Sequence, residues 1–302
     1  MFTHLLVPLD GSEMAESVLP AAVHLARTLG ARLTLLHVLE HNAPGEVHGQ
    51  RHVKSEQEGL RYLADTAAKL PAGLHVDVHV HPNEEHNIAR SIVEHAQELG
   101  VDLVVICTHG RSTLKRWLFG TIAQQMLAQG DTPVLVIYPS EMPQGQGFQC
   151  RQILTPLDGD PDHEAGLVAA MQLAHACGAN LHLVGVVPTR GTLSGEDTAS
   201  AIWLPATTNA LLDMTQQATR EYLQRQAAHA GEAGVAVTTT VQRGEPATTI
   251  AQAAQDVHAD LIVMATHGKS HTDAFWSGSV SPRVSSKSRR PLLLVPVAEA
   301  KA

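Results

Sequence analysis

Residues 5–38, LLVPLDGSEMAESVLPAAVHLARTLGARLTLLHV, recur at residues 153–186 as ILTPLDGDPDHEAGLVAAMQLAHACGANLHLVGV. In this match Asp158 is the counterpart of Asp10 and follows it by 148 residues. Internal similarity over such a length predicts that one structural unit occurs twice in the chain.

A second match extends the repeat towards the end of each copy. Residues 101–127 match residues 259–285, and here Gly268 follows its counterpart Gly110 by 158 residues. The second copy is therefore longer by the difference between the two offsets. We expect the extra residues to form a loop at 188–201, where the sequence PTRGTLSGEDTASA is rich in Gly, Ser, Thr and Asp.

The junction between the copies predicts two domains. Residues 141–149, EMPQGQGFQ, have the composition of a short linker. A chain of 302 residues is long enough for two domains that each bury a core. We place the first domain at 1–145 and the second at 146–302.

Strands and helices alternate within each copy. Short apolar runs that suit buried strands are joined by segments with helical periodicity. Apolar strands connected by helices predict a parallel sheet that is covered on both faces. The expected fold is therefore α/β, with two tandem, doubly wound, five-stranded parallel sheets. The strands of the first copy are expected at Leu5–Leu9, the segment ending at Val38, Val76–Val80, Leu103–Ile106 and Val134–Ile137.

The first helix of each copy has sequence signals at both ends. Ser12 is expected to cap the first helix at its N-terminus, and Pro20 is expected to kink it. Gly30 and Gly178 stand where a helix would end on a left-handed residue.

Composition excludes several classes of protein. A net charge of −9 without a basic stripe argues against nucleic-acid binding. No run approaches the roughly 20 apolar residues of a membrane span, and the N-terminus lacks the apolar core of a signal peptide. Three cysteines without pair or metal spacing suggest reduced thiols. We expect a cytoplasmic protein.

One motif in each copy indicates a ligand-binding site. After the fourth strand each copy reads Thr-His-Gly, nine residues, and Gly followed by a hydroxyl residue. Glycines allow close approach to a ligand, and free amides at a helix start favour phosphate. The Walker loop is excluded, because Val263 stands where that motif needs glycine five residues before Gly268. The residues concerned are Gly110, Gly120 and Thr121, and Gly268, Gly278 and Ser279.

These features together resemble the universal stress protein family over nearly the whole chain, twice. They are the strand followed by Asp-Gly-Ser, the strand ending in His-Val, the Thr-His-Gly motif and the closing Pro-Val-Leu-Val. The resemblance implies a Rossmann-like fold that binds ATP, ADP or AMP, with Mg²⁺ as a candidate companion ion. It also implies that the carboxylate and valine positions surround adenine and ribose while the glycine and hydroxyl positions meet the phosphates. The implied nucleotide-binding residues are Pro8, Asp10, Val38, Gly110, Arg111, Gly120 and Thr121 in the first copy, and Pro156, Asp158, Val186, Gly268, Lys269, Gly278, Ser279, Val280 and Ser281 in the second.

Both copies depart from the family pattern at its first glycine. Cys107 stands there in one copy and Ala265 in the other. The first copy also has Ala123 in place of Ser281, although its loop offers the cations Arg111, Lys115 and Arg116. The sequence therefore leaves open which copy binds nucleotide.

Three functions remain open at this stage. A nucleotide-binding regulatory protein fits the motifs best. A nucleotide-free interaction scaffold of the same fold would account for Cys107 and Ala265. A slow ATPase would need a positioned base or metal carboxylate, and the sequence offers no convincing set. We expect a protein that is not an enzyme.

Several residues also have simpler interpretations. Asp10 and Asp158 could serve only to close the Asp-Gly turn. Most of the nineteen histidines are interpreted as exposed polar residues, so we expect no metal site and no catalytic histidine. Cys107 is interpreted as a buried, unreactive thiol.

The last strand of each copy predicts how the copies associate. Thr132–Ile137 and Arg290–Val297 resemble the segment through which this family pairs subunits. The resemblance implies that the two domains dock as a pseudo-dimer and that whole chains form a homodimer.

Overall fold

The computed structural model describes residues 1–40, 46–47, 50–51, 53–108, 121–139, 147–193, 203–267 and 279–297. Its helices are α1 (Glu13–Glu16), α2 (Leu19–Leu29), α3 (Glu56–Ala68), α4 (Ile88–Glu98), α5 (Thr121–Gln129), α6 (Glu164–Cys177), α7 (Pro205–Glu232), α8 (Pro246–Asp256) and α9 (Val280–Ser288). Its strands are β1 (His4–Pro8), β2 (Arg32–Glu40), β3 (Glu46–Val47), β4 (Gln50–Arg51), β5 (Val76–Glu85), β6 (Leu103–Cys107), β7 (Val134–Ile137), β8 (Gln152–Pro156), β9 (Asn180–Val187), β10 (Val237–Arg243), β11 (Leu261–His267) and β12 (Leu292–Val297).

Contacts divide the chain into two compact units, and the first contains a sheet in the order β12-β7-β6-β1-β2-β5. The five strands of the first repeat are parallel. Strand β12 belongs to the same unit although it comes from the end of the chain, and it pairs antiparallel with β7. The short strands β3 and β4 pair separately.

The second unit repeats this arrangement with the parallel order β10-β9-β8-β11. The α/β class and the doubly wound parallel sheets are thus confirmed. The boundary between 145 and 146 and the docking of two domains as a pseudo-dimer stay predictions.

The first strand of each repeat lies where the strand order reverses. The chain runs from β1 to β2 and β5 on one side, and then returns to β6 and β7 on the other. Strand β8 has the same place between β9 and β11. Parallel sheets bind ligands at the carboxyl ends of such strands. The loops after β1 and β8 are therefore the expected ligand positions.

Helices cover both faces of the first unit's sheet. A side-chain carbon added at Gly59 of α3 would lie 3.2 Å from both His37 and Val80, which are partners in register. The imidazole of His95 in α4 lies against His81, the residue after Val80. Because successive strand residues point to opposite faces, α3 and α4 lie on opposite sides of the sheet.

The apolar runs of the sequence form the core. Leu5, Leu6 and Val7 follow one another in β1 and are all 0% exposed. Consecutive buried residues are the pattern of a strand that is covered on both faces.

The first helix is the clearest difference from the predicted elements. Ser12 caps it as expected, but this helix, α1, ends at Glu16. A separate helix begins at Leu19 with Pro20 in its first turn, where the missing amide proton of proline costs nothing. Instead of one kinked helix, the structure therefore has two separate helices, α1 and α2. Gly30 and Gly178 end their helices with φ of 64° and 62°, as predicted.

The extra residues of the second repeat are used differently from the prediction. The described part of the expected loop includes a short 3-10 helix at Arg190–Thr192. Helix α7 has 28 residues, whereas its counterpart α3 has 13. The insertion therefore lengthens a helix as well as a loop. No helix in the described ranges has the length and apolar character needed to cross a bilayer.

Candidate functional site

Asp10 closes the turn after β1. Its Oδ1 accepts hydrogen bonds from the backbone N–H of Ser12 at 2.9 Å and from the Ser12 hydroxyl at 2.6 Å. Gly11 has φ of +90°, which favours glycine at this turn. Ser12 Oγ in turn accepts the N–H of Ala15 at 3.1 Å and starts α1. The local role proposed for Asp10 is thus present, and its Oδ2 takes part in neither of these bonds.

The ends of β1 and β6 meet beside Asp10. Burial, followed by the negative charge of Asp10, raises the pKa of the Cys107 thiol to about 12. Cys107 is therefore uncharged near neutral pH, in accord with its interpretation as an unreactive thiol. Val38 near the end of β2 is buried, with 8% of its surface exposed. The structure brings Asp10 and Cys107 together at the predicted edge.

A tyrosine that the sequence analysis did not single out approaches the same turn. Tyr62 of α3 carries a buried hydroxyl group that lies close to Glu16 and Gly11. Burial, followed by the charges of Glu16 and Asp10, raises its pKa. The hydroxyl therefore stays protonated and can donate a hydrogen bond at the edge where β1 ends.

The second repeat builds its turn around Asp158. Oδ1 accepts the N–H of Asp160 at 3.0 Å, and Gly159 has φ of +91°. Oδ2 lies 2.7 Å from Nδ1 of His163. This bond raises the pKa of His163 against the opposing effect of burial. Burial alone would raise the pKa of Asp158, but its bonds to His163 and Asp160 lower it. Asp158 thus has a histidine partner within its own turn, and this pair is charged when His163 is protonated.

The tyrosine recurs in the second repeat. The hydroxyl of Tyr222 in α7 donates to Glu164 Oε1 at 2.9 Å, and Gln226 donates to the same oxygen at 2.8 Å. Burial, followed by the bond and charge of Glu164, raises the pKa of Tyr222. Glu164 is the counterpart of Glu16 at the 148-residue offset, and that coincidence was the sequence signal that could have identified both pairs.

The predicted phosphate helices begin as expected. Thr121 is the first residue of α5, and Ser279 precedes α9 as its N-cap. The Ser279 side chain makes no capping hydrogen bond, and Ser281 is buried with 3% exposed. Helix α5 follows β6 and helix α9 follows β11 along the chain, and free amides at a helix start suit phosphate.

An ion pair in the second unit joins two helix starts. Arg283 of α9 donates through Nε to the carbonyl of Ser279 at 3.3 Å, and its Nη1 lies 3.1 Å from Glu245 Oε1. Glu245 caps α8 and accepts the N–H of Ala247 and of Thr248. Burial opposes ionisation of Glu245, but these bonds and Arg283 lower its pKa. A guanidinium group, which the sequence analysis did not identify, therefore stands beside the N-terminus of α9.

The remaining predicted residues lie in strands, at a helix start or outside the described residues. Pro8 and Pro156 end β1 and β8, Val186 is half-buried in β9, and Val280 begins α9. Six predicted residues lie outside the described residues: Gly110, Arg111, Gly120, Gly268, Lys269 and Gly278.

Several histidines are less exposed than predicted. His4, His37, His95 and His182 are 1–7% exposed. Nδ1 of His37 lies 2.7 Å from the carbonyl of Leu9, and both nitrogens of His182 contact threonine hydroxyls. These histidines are buried because each has a polar partner. Across the described ranges, no group of three or more His, Cys, Asp or Glu side chains is arranged to hold a metal ion.

Two doubly wound α/β repeats, each with an Asp-Gly turn after its first strand, define a tandem Rossmann-like protein. The model of the Universal stress protein family matches residues 1–138 and again 149–296. The chain therefore belongs to the universal stress protein family, with two copies of the family domain.

Some known proteins are similar to one repeat of this chain, and others are similar to nearly its whole length. The universal stress protein YxiE of Bacillus subtilis is 33% identical over 150 residues, which cover 45% of this chain and 99% of that protein. A universal stress protein of Mycolicibacterium smegmatis is 24% identical over 307 residues and 96% of each chain. The crystal structure of a universal stress protein from Archaeoglobus fulgidus superposes with a TM-score of 0.67 at 18% identity, over 99% of this chain and 97% of that one. The last comparison supports the fold over its whole length.

Proposed function

We propose that this protein is a cytoplasmic stress-response regulator that binds ATP or a related adenine nucleotide at the carboxyl edges of its sheets. The observation that carries the proposal is the position of Asp10, which follows β1 and lies near Cys107, the last residue of the neighbouring strand that leads into the Thr-His-Gly motif. A carboxylate can accept hydrogen bonds from an adenine amine or a ribose hydroxyl. Oδ2 of Asp10 lies outside the bonds that close the turn and is suited to that role.

The phosphates would lie at the starts of α5 and α9. Free backbone amides and the positive end of a helix dipole stabilise phosphate there. Ser279 keeps its hydroxyl outside the capping interaction, which leaves it suited to a phosphate oxygen. In the second unit Arg283, which is paired with Glu245, lies next to Ser279, and Asp273 and Ala274 replace the cations Lys115 and Arg116 of the first repeat.

We further propose that binding serves regulation and not catalysis, and that whole chains form a homodimer. A bound nucleotide changes conformational populations only through different affinity for the states, which requires no reacting group. The carboxylates identified at the two sites, Asp10, Asp158, Glu16 and Glu164, are engaged in turns or lie beside tyrosines. Sedimentation at micromolar concentration tests the dimer, and a strictly monomeric chain would exclude it.

The test of binding is direct identification of the ligand. Nucleotide extracted from freshly purified protein is identified by mass spectrometry for the wild type, Gly120→Val, Gly278→Val and the double variant. We expect adenine nucleotide in the wild type and its loss in the variant whose working site is blocked. Saturating ATP should also raise stability, by about 2.7 kcal/mol at 100 times the dissociation constant.

Gly147→Val is the matched control, because a side-chain carbon at Gly147 would meet no atom within 4 Å. It should retain the nucleotide. A wild type that yields no nucleotide and shows no thermal shift with excess ATP would instead support the nucleotide-free scaffold.

A further inference from the structure

Two histidines on the α4 face of the first unit place ring nitrogens opposite each other. His81 lies in the middle of β5 and His95 lies in α4. Nδ1 of His81 is 3.3 Å from Nε2 of His95, and the ring planes meet at 89°. His95 is 6% exposed, and the side chain of His81 is 18% exposed. The pair is thus buried on one side and reachable on the other.

The far nitrogen of each ring has an acceptor. Nε2 of His81 is 3.0 Å from Glu85 Oε1, and Nδ1 of His95 is 2.8 Å from the carbonyl oxygen of Ser91. A carbonyl oxygen or a carboxylate can only accept, so each far nitrogen carries the proton. In neutral imidazoles the two facing nitrogens then both present lone pairs. Two lone pairs at 3.3 Å repel unless a proton or a metal cation lies between them.

We propose that His81 Nδ1 and His95 Nε2 bind a divalent transition-metal cation of the zinc, nickel and copper class. Two nitrogens at about 2.0–2.1 Å from a tetrahedral zinc ion are separated by about 3.3 Å, the distance observed here. Imidazole ligands select this class over Mg²⁺ or Ca²⁺, which prefer oxygen. With two protein ligands, water molecules complete the coordination.

The surroundings are those of a metal-binding histidine pair. A ligating histidine usually donates its other N–H to a carboxylate or a carbonyl, which fixes the ring and increases its basicity. Glu85 and Ser91 occupy these two positions. His79 lies beside them, with its ring centroid 4.9 Å from that of His95, and Glu98 lies near His79. Glu85 brings negative charge next to the proposed cation.

The second repeat lacks the pair and provides natural substitutions. His81 is in register with Val38, and the counterpart of Val38, Val186, is in register with Gln242. His95 corresponds to Ala253 at the 158-residue offset. His81→Gln and His95→Ala therefore introduce residues that the same fold already accommodates.

The test is a zinc titration of the full chain without an affinity tag. Calorimetry measures the affinity, and nitrogen NMR of the imidazoles shows which ring nitrogens bind. We expect Zn²⁺ to shift the His81 Nδ1 and His95 Nε2 resonances. His81→Gln and His95→Ala should each weaken this binding event at least tenfold, and Glu85→Gln should weaken it on the order of tenfold. Because protons compete with the metal for the two facing nitrogens, binding should weaken as the pH falls.

His75→Gln is the matched control, since His75 precedes the same strand with 69% of its side chain exposed. It should bind zinc like the wild type. Equal zinc affinity in the wild type, His81→Gln and His95→Ala would overturn the proposal. Resonances of the two nitrogens that respond to pH but not to zinc would also overturn it, and would show that the pair holds a proton instead.

Discussion

Asp10 and Asp158 are equivalent residues that differ in the partner of the second carboxylate oxygen. In the second repeat His163 binds that oxygen, whereas the first repeat has Ala15 at the position of His163. The charged pair forms only when His163 is protonated and Asp158 is ionised. The turn of the second repeat therefore contains a pH-dependent pair, which Ala15 cannot form in the first repeat.

This difference predicts pH-dependent stability. The pKa of His163 is raised from 6.5, so its stabilising effect is complete below 6.5 and disappears as the pH rises through the raised value. The pKa of Asp158 is lowered from 3.8, so the effect also disappears as the pH falls through that lowered value. His163→Ala should cost about 0.5 kcal/mol at pH 5, since solvent screens this partly exposed pair, and less at pH 8.5. Urea unfolding at the two pH values measures the difference.

Asp158→Asn provides the control for this prediction. The effect of His163→Ala at pH 5 should shrink when Asp158 has already been replaced, because the two residues act as a pair. An effect of equal size at pH 5 and pH 8.5 would contradict the role of the ion pair.

At the scale of elements, the two repeats use different residues to fill the space between their second strand and the helix that packs against it. In the first repeat His37 of β2 faces Gly59 of α3. In the second repeat Gly185 of β9 is the counterpart of His37 at the 148-residue offset, and a side-chain carbon at Gly185 would meet the side chain of Thr219 in α7. The first repeat thus has a large residue on the strand and a glycine on the helix, whereas the second repeat has a glycine on the strand and a larger residue on the helix.

This exchange predicts strong coupling between the two positions. Gly59→Thr should cost about 1–3 kcal/mol, because the added atoms meet His37. His37→Gly should also destabilise, since it removes the contact with the Leu9 carbonyl. The double variant copies the second repeat and should be more stable than the sum predicts, by about 1 kcal/mol. Denaturant unfolding of the four proteins completes the cycle. As a control, Gly59→Thr and His75→Gln should change the free energy of unfolding additively. Additive effects of Gly59→Thr and His37→Gly as well would show that the two positions are not coupled.

Elements were more predictable from sequence than the contacts between them. Val134–Ile137 is the strand predicted, and Ser12 is the predicted cap, because periodicity and capping are local. The approach of Tyr62 to Asp10 depends on the packing of α3 against the sheet, which no local pattern specifies. The burial of His95 likewise depends on contacts with a distant strand.

At the scale of the whole molecule, the register of β7 and β12 is informative. Leu293 pairs with Leu135, and these leucines are counterparts at the 158-residue offset. On either side, Leu292 pairs with Val136 and Leu294 with Val134. The strand pair is thus centred on equivalent residues, and its register has a pseudo-twofold symmetry. A twofold interface allows the same strand to serve on both sides.

The register predicts that the first repeat alone associates through β7. A fragment of residues 1–139 lacks β12 and exposes the edge of β7, whose unpaired backbone groups favour addition of another strand. Two copies can pair antiparallel with Leu135 opposite Leu135, as Leu293 lies opposite it in the full chain. We expect a dimer in sedimentation at micromolar concentration. A synthetic peptide of residues 289–297, which contains β12, should compete for the edge and convert the dimer into a one-to-one complex. A fragment that stays monomeric from about 5 to about 100 µM would mean that the edge of β7 needs the specific sequence of β12 and not only its backbone.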